Sequence, residues 1–231
     1  MRWGGISPLF LSSPSAVGAR FVQVFGNGSI WPSINATAQV AWWGAVFAVI
    51  AGVPVGVIMG RSLFVRDTLE PFIIAMSSAP IVAFLPLLII WLGIGATSKI
   101  ALVFIGAVFV IIINTEAGVR QIDSRLIETA RSFTATESEI LVKIVLPAAL
   151  PFIIAGMRLA IARVLIMVVV AEFYAATVGL GYMIFQAGSQ FDTTLVFVGV
   201  VILAGTGVVA NALLRAAERR IAPWMHTEGA Q

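Results

Sequence analysis

Cysteine is absent from all 231 residues and histidine occurs once. The first absence excludes a disulfide framework, thiol chemistry and any Cys-based metal site. The single histidine, His226, lies in a polar tail and is read as surface, not as a ligand. Charge is also scarce, at 11% of residues, where a water-soluble chain carries roughly a quarter. Lysine is limited to Lys99 and Lys143, so no Gly-x-x-x-x-Gly-Lys-Ser/Thr loop exists to cradle nucleotide phosphates, and the chain is not expected to hydrolyse ATP. Against these absences, 60% of the residues are apolar, more than a soluble core of this length can cover. The expected fold class is an all-α polytopic transmembrane bundle. The formal charge of +3 is read as topology, because the basic residues form short clusters between apolar runs and not a stripe suited to nucleic acid.

Five runs are long enough to span a bilayer, at about 34–59, 71–92, 100–114, 148–174 and 194–214; the third reaches about 20 residues if Lys99 and Arg120 snorkel. Arg61, Arg66, Arg120, Arg125, Arg131, Lys143, Arg215, Arg219 and Arg220 fall on one set of loops, and only Arg2, Arg20 and Lys99 on the other. The richer set is expected in the cytoplasm, which puts the N-terminus outside and the C-terminus inside. Trp31, Trp42, Trp43 and Trp91 then lie near the outer face, where an aromatic belt belongs. Residues 1–33 contain no long apolar run and no signal-peptide pattern, and are read as an extracytoplasmic arm. Residues 34–225 form the membrane part and 226–231 a cytoplasmic tail.

The longest polar stretch, residues 121–147, reads as two short amphipathic helices. Leu126, Ile127, Ala130 and Phe133 stripe the first, with Asp123 or Ser124 as N-cap. Ile140, Leu141, Ile144 and Val145 stripe the second, opened by a capping box of Thr136 and Glu139. A turn is expected near Thr134, and Pro147 is expected to end the second helix before the chain re-enters the membrane. Periodicity leaves two uses open for such a pair, a filler of the membrane surface or a docking site for a soluble partner.

The spacing of Glu128-Thr129-Ala130, Thr134, and Ile144-Val-Leu146-Pro147 resembles the EAA loop of bacterial ATP-binding-cassette importer permeases. That pattern is Glu-Ala-Ala, three residues, Gly, nine residues, Ile-x-Leu-Pro. Thr129 replaces an Ala and Thr134 replaces the Gly. If position 134 needs positive φ, a β-branched residue there costs on the order of 1 kcal/mol relative to Gly. The stretches 79–95, 147–158 and 171–182 are similar to the nitrate/sulfonate/taurine branch, and the resemblance covers about residues 35–225. Relatives have a further helix ahead of a Pro/Ser-rich linker, which Ser7-Pro8 through Ser15 resembles; that helix is expected to be absent here.

The resemblance implies a bacterial inner-membrane permease subunit with no cofactor of its own. Its partners would be a second permease copy, two cytoplasmic ATPase subunits holding ATP and Mg, and an external solute-binding protein. Glu128, Thr129, Ala130, Thr134, Ile144, Leu146 and Pro147 are the expected coupling residues, and the cargo is a small anion. For the pathway, span two carries Pro71, Pro80 and Pro86 with Ser77 and Ser78, so its backbone hydrogen bonding is expected to be broken at mid-depth, which only protein or a wet cavity tolerates.

Arg158 and Arg163 lie mid-span, point roughly 140° apart and are expected to face the interior. Arg158 is read as structural, paired with Glu70 or Glu116, and Arg163 as the residue that attracts the anion. Glu172 lies roughly 21 Å further along the same helix, near the outer mouth, and is read either as a gate or binding-protein contact or as a hydrogen-bonded helix-end carboxylate. Gly52, Gly56 and Gly60 read as a close-packing seam, within one subunit or between two. The rival functions are an ion-coupled carrier or channel, which inverted repeats would favour, a membrane enzyme, which needs clustered His, Asp or Glu, and a recruiting scaffold.

Overall fold

A computed structural model describes residues 12–222, and their regular structure is entirely helical. His226 and Ser7-Pro8 lie outside the described residues. Helix α1 is Pro14–Gly26, α2 Trp31–Arg61, α3 Leu63–Ser78, α4 Leu85–Leu92 and α5 Ala96–Arg120. Helix α6 is Ser124–Ser132, α7 Glu137–Ile140, α8 Leu146–Ala175, α9 Leu180–Ser189 and α10 Thr193–Ile221. Four helical runs are long and apolar enough to cross a membrane: α2, α5, the continuous run Glu137–Ala175, and α10. A fifth span arises if α3 and the bent segment that follows it, Ile81–Leu92, are taken together. The chain breaks at Ala79-Pro80, where Ala79 caps α3 in an extended conformation, so the expected interruption of span two is present. Pro71, by contrast, is accommodated inside α3.

The span boundaries are wider than the apolar runs. Helix α5 extends both ways past 100–114, because Ser98, Lys99 and Thr115 are themselves buried. The arm is not featureless either: Ser13 caps α1 by accepting from Ala16 N at 3.2 Å, and α2 already starts at Trp31.

The described chain groups into two compact units, and α2, α5, α8 and α10 each contribute residues to both. The first unit comprises residues 12–44, 82–103 and 164–209. Its core joins Val24 of α1 and Ile30 to Leu180 and Val198, with Phe21 and Phe25 packed alongside. Gly44 of α2 presses directly on Val103 of α5.

The second unit comprises residues 45–81, 104–163 and 210–222. Here Gly52, Gly56 and Gly60 of α2 meet Ile111, Thr115 and Val119 of α5. A Cβ at Gly56 would lie 2.6 Å from the Thr115 Cβ and 2.7 Å from the Ile112 carbonyl oxygen, so only glycine lets the two backbones approach this closely. The seam is therefore intramolecular. A neighbouring face of α5 packs closely on α8, where a Cβ at Gly156 would lie 2.8 Å from the Asn114 Cβ.

Pro147 does not end a helix. Helix α7 runs through a π turn, Leu141–Val145, directly into α8. A proline at 147 cannot donate to Lys143 O, and its ring crowds that carbonyl; the wider turn, in which Leu146 N reaches back to Leu141 O, removes the conflict. The resulting 39-residue run is far longer than the ~20 residues a bilayer needs, so its first turns project beyond the apolar slab.

Candidate functional site

The loop between α5 and α8 is built by local capping. Asp123 accepts from Arg125 N at 2.9 Å to start α6. Thr136 and Glu139 form a reciprocal capping box on α7, with Thr136 N donating to Glu139 at 3.0 Å and Glu139 N to Thr136 Oγ1 at 3.3 Å. Between them the chain turns at Thr134 with φ of 62°, a left-handed conformation that glycine adopts without strain. Ala135 N closes the turn on Ala130 O at 3.1 Å.

The apolar stripes divide in a way their spacing does not show. Ile140 and Val145 are fully buried and, with Val57 of α2 and Val119 of α5, form the core on which the loop sits; Ile127 and Ala130 pack against it. Leu126 and Phe133 leave that core and stand 55% and 80% exposed. Phe133 is thus an outward-facing aromatic, not a packing residue. Ile144, Leu146 and Pro147 are half-buried, whereas Glu128, Thr129 and Thr134 are exposed.

Charge ties the loop to the spans. Glu137 accepts from Arg131 Nε at 3.0 Å and also pairs with Arg61, the last residue of α2. These contacts hold the Glu137 carboxyl below its usual range, the hydrogen bond from Arg131 most of all. Glu139 is lowered to about 2, chiefly by the Thr136 backbone N–H and then by Lys143 at 3.0 Å. Arg61 and Arg131 also line a cavity of about 340 Å³ with Arg66, Arg120, Glu128 and Met59.

The expected pathway residues are not brought together. Ser77 donates to Ile74 O at 2.9 Å within α3, and Ser78, Pro80 and Pro86 are exposed. Arg158 pairs with Glu218 of α10 at 3.0 Å, which corrects the expected partners. Glu70 and Glu116 sit at helix spacing from Arg66 and Arg120 and pair with those instead. Arg158 is half exposed and Arg163 is exposed, so within one chain neither faces a packed interior. Among the described residues Arg163 has no ion-pair partner.

Glu172 is fully buried. The Thr37 hydroxyl donates to Glu172 Oε1 at 2.8 Å and accepts from Leu180 N at 2.8 Å, and Gly181 N donates to Glu172 Oε2 at 2.7 Å. Glycine is required around this carboxylate: Gly179 has φ of 147°, and a Cβ at Gly181 would lie 2.9 Å from the Glu172 Cβ. The cluster pins the start of α9 to α2, a closed hydrogen-bonded arrangement and not an open mouth. Thr37 as partner of Glu172, Glu137 as partner of Arg61 and Glu218 as partner of Arg158 were not legible, because each pair is 60 or more residues apart.

Apolar spans, a broken second span and a capped helical loop seated on the helix ends define a helical membrane protein. The chain belongs to the family described as "Binding-protein-dependent transport system inner membrane component", whose profile matches residues 52–223. It is 35% identical over 224 residues to the taurine transport system permease protein TauC of Escherichia coli (strain K12), covering 95% of this chain and 82% of that one. It is 31% identical over 224 residues to a putative aliphatic sulfonates transport permease protein, SsuC, of Bacillus subtilis (strain 168), with 97% and 81% covered. Among solved structures, an inward-facing MetNI methionine ABC transporter chain aligns with a TM-score of 0.63 at 21% identity, covering 82% of this chain and 97% of that chain. An amino acid ABC transporter solved with histidines aligns at 0.67 and 16%, covering 91% and 100%. The protein is an all-α, multi-pass inner-membrane permease subunit of an ATP-driven importer of the sulfonate/taurine type.

Proposed function

We propose that two copies of this chain form the pathway for a small organic or inorganic anion, a sulfonate being the first candidate. The observation that carries this reading is Arg163: mid-span, exposed and without an ion-pair partner among the described residues. A lipid-facing arginine there costs roughly 2.5–3.5 kcal/mol, so this face belongs against a second copy or a wet cavity, where the guanidinium attracts an anion. The names of the taurine and sulfonate relatives support the same cargo.

Residues 121–147 are the coupling loop in this reading, with Glu128, Thr129, Ala130, Thr134, Ile144, Leu146 and Pro147 as its coupling residues. ATP and Mg are held by two cytoplasmic ATPase subunits, and an external binding protein delivers solute. Residues 1–33 are the extracytoplasmic arm and 226–231 the cytoplasmic tail. Two groupings support an outside N-terminus and a cytoplasmic C-terminus. The exposed Trp31, Trp42, Trp43 and Trp91 all belong to the first unit, and the nine loop basic residues all belong to the second.

The test is uptake of taurine and short alkanesulfonates by vesicles holding the complete importer. We expect ATP-dependent uptake that falls about tenfold or more in Arg163→Ala, because a desolvated charge pair is lost. Uptake at the parental rate in that variant would remove Arg163 from the pathway. Uptake that persists when the ATPase nucleotide site is disabled would favour an ion-coupled carrier.

A further inference from the structure

We infer that Glu137, which falls in the unspecified nine-residue spacer of the EAA pattern, is the positioning residue through which movement of the loop reaches α2. The inference rests on the proposed role of residues 121–147 as the coupling loop. Three observations carry it.

First, Glu137 touches both sides of the transmission. Its carboxylate takes Arg131 of α6 through Nε at 3.0 Å and NH2 at 2.9 Å, and it also holds Arg61, the terminal residue of α2. Oε1 takes Arg131 and Oε2 takes Arg61, so one carboxylate bridges the two guanidiniums by charge-assisted hydrogen bonds. Second, the packing of α6 toward the end of α2 is incomplete, although Ile127 and Ala130 rest on the core around Val57. A cavity of about 340 Å³ lies there, bounded by Met59 and Arg61 of α2, Val119 and Arg120 of α5, and Ile127 and Arg131 of α6. Empty space cannot push or pull, whereas a charged link across its rim can. Third, the other attachment of the loop is apolar and is centred past α6, on Ile140 and Val145 against Val57 and Val119, with Ile127 and Ala130 of α6 at its edge. Glu137, the first residue of α7, stands where the two attachments join.

The remaining arginines around the cavity already have local partners, Arg66 with Asp67 at 2.9 Å and Arg120 with Glu116 at 3.3 Å. They are committed to their own helices. The absence of native cysteine makes the test direct. Single reporters are placed by Ile58→Cys on α2 and by Ser132→Cys on α6, both at exposed positions, and labelled in the complete importer with its ATPase subunits. The response of each label to ATP binding is then recorded with and without Glu137→Gln. We expect the α6 label to respond fully in both backgrounds and the α2 label to lose about fivefold of its response in Glu137→Gln, as a coupling loss of this kind gives. Arg61→Gln should reproduce the loss, and adding it to Glu137→Gln should deepen the loss little.

An undiminished α2 response in Glu137→Gln, with ATPase still bound, overturns the inference and leaves the coupling loop intact. A silent α6 label in the parent importer overturns the coupling loop itself, and the inference with it. Thermal melting of both variants guards against simple unfolding: a variant melting well below the parent is replaced by Glu137→Asp, which keeps the charge at a shorter reach and should restore part of the α2 response.

Discussion

At the residue scale, Thr134 is the clearest conflict between chain and conformation. Its φ of 62° places a β-branched side chain where glycine is at ease. Thr134→Gly should stabilise the loop by ~1 kcal/mol, read as slower amide exchange across 126–140. Phe133, 80% exposed one residue earlier, behaves differently. Phe133→Ser should leave the melting temperature of the isolated subunit unchanged and weaken its retention of the ATPase, measured by co-purification; loss of stability instead would show the ring to be packed. Glu139 sets the acid limit of the capping box. Its folded value of about 2 lies below its ordinary 4.5, so its contribution is complete above pH 4.5 and is lost as pH falls through 2. Carboxyl titration followed by NMR should find Glu139 still ionised at pH 3.5, where exposed glutamates are mostly protonated. Protonation near 4.5 would mean that the box is open in solution.

At the element scale, the seam between α2 and α5 gives two substitutions of opposite sign. Gly56→Val drives side-chain atoms into Thr115 and the Ile112 carbonyl and should destabilise the subunit by 3 kcal/mol or so, seen as lost expression or melting in detergent. Thr115→Val should do the reverse. The Thr115 hydroxyl is buried and without a hydrogen-bond partner among the described residues, and an isosteric apolar residue removes its desolvation penalty of about 1 kcal/mol. A lower melting temperature in Thr115→Val would mean that the hydroxyl is satisfied after all. The seam's spacing was legible in the sequence, because four-residue glycine repeats mark close approach. Its partner was not, since the matching ridge on α5 is written in ordinary β-branched residues. The continuation of α7 into α8 was misread for a related reason: a proline looks like a stop until a π turn supplies the room it needs.

At the scale of the whole molecule, the scarce charges divide into local and long-range groups. Arg66 with Glu70, Arg120 with Glu116 and Lys143 with Glu139 are four residues apart on one helix, so helical geometry alone brings them together. Spans, capping box and family pattern are likewise written in periods of a few residues, which is why reading along the chain recovered the all-α membrane fold and the two short helices within residues 121–147. Arg158 with Glu218, Thr37 with Glu172 and Arg61 with Glu137 are 60, 135 and 76 residues apart. No local period encodes those distances. Which carboxylate meets which partner depends on how separate helices pack, and the meetings of α2 with α8, of α2 with α7 and of α8 with α10 assigned them. Composition and short-range pattern thus sufficed for what the chain is and where it lies. Folding in three dimensions settled which of its few charges hold the helices together, and left Arg163 without a partner among the described residues.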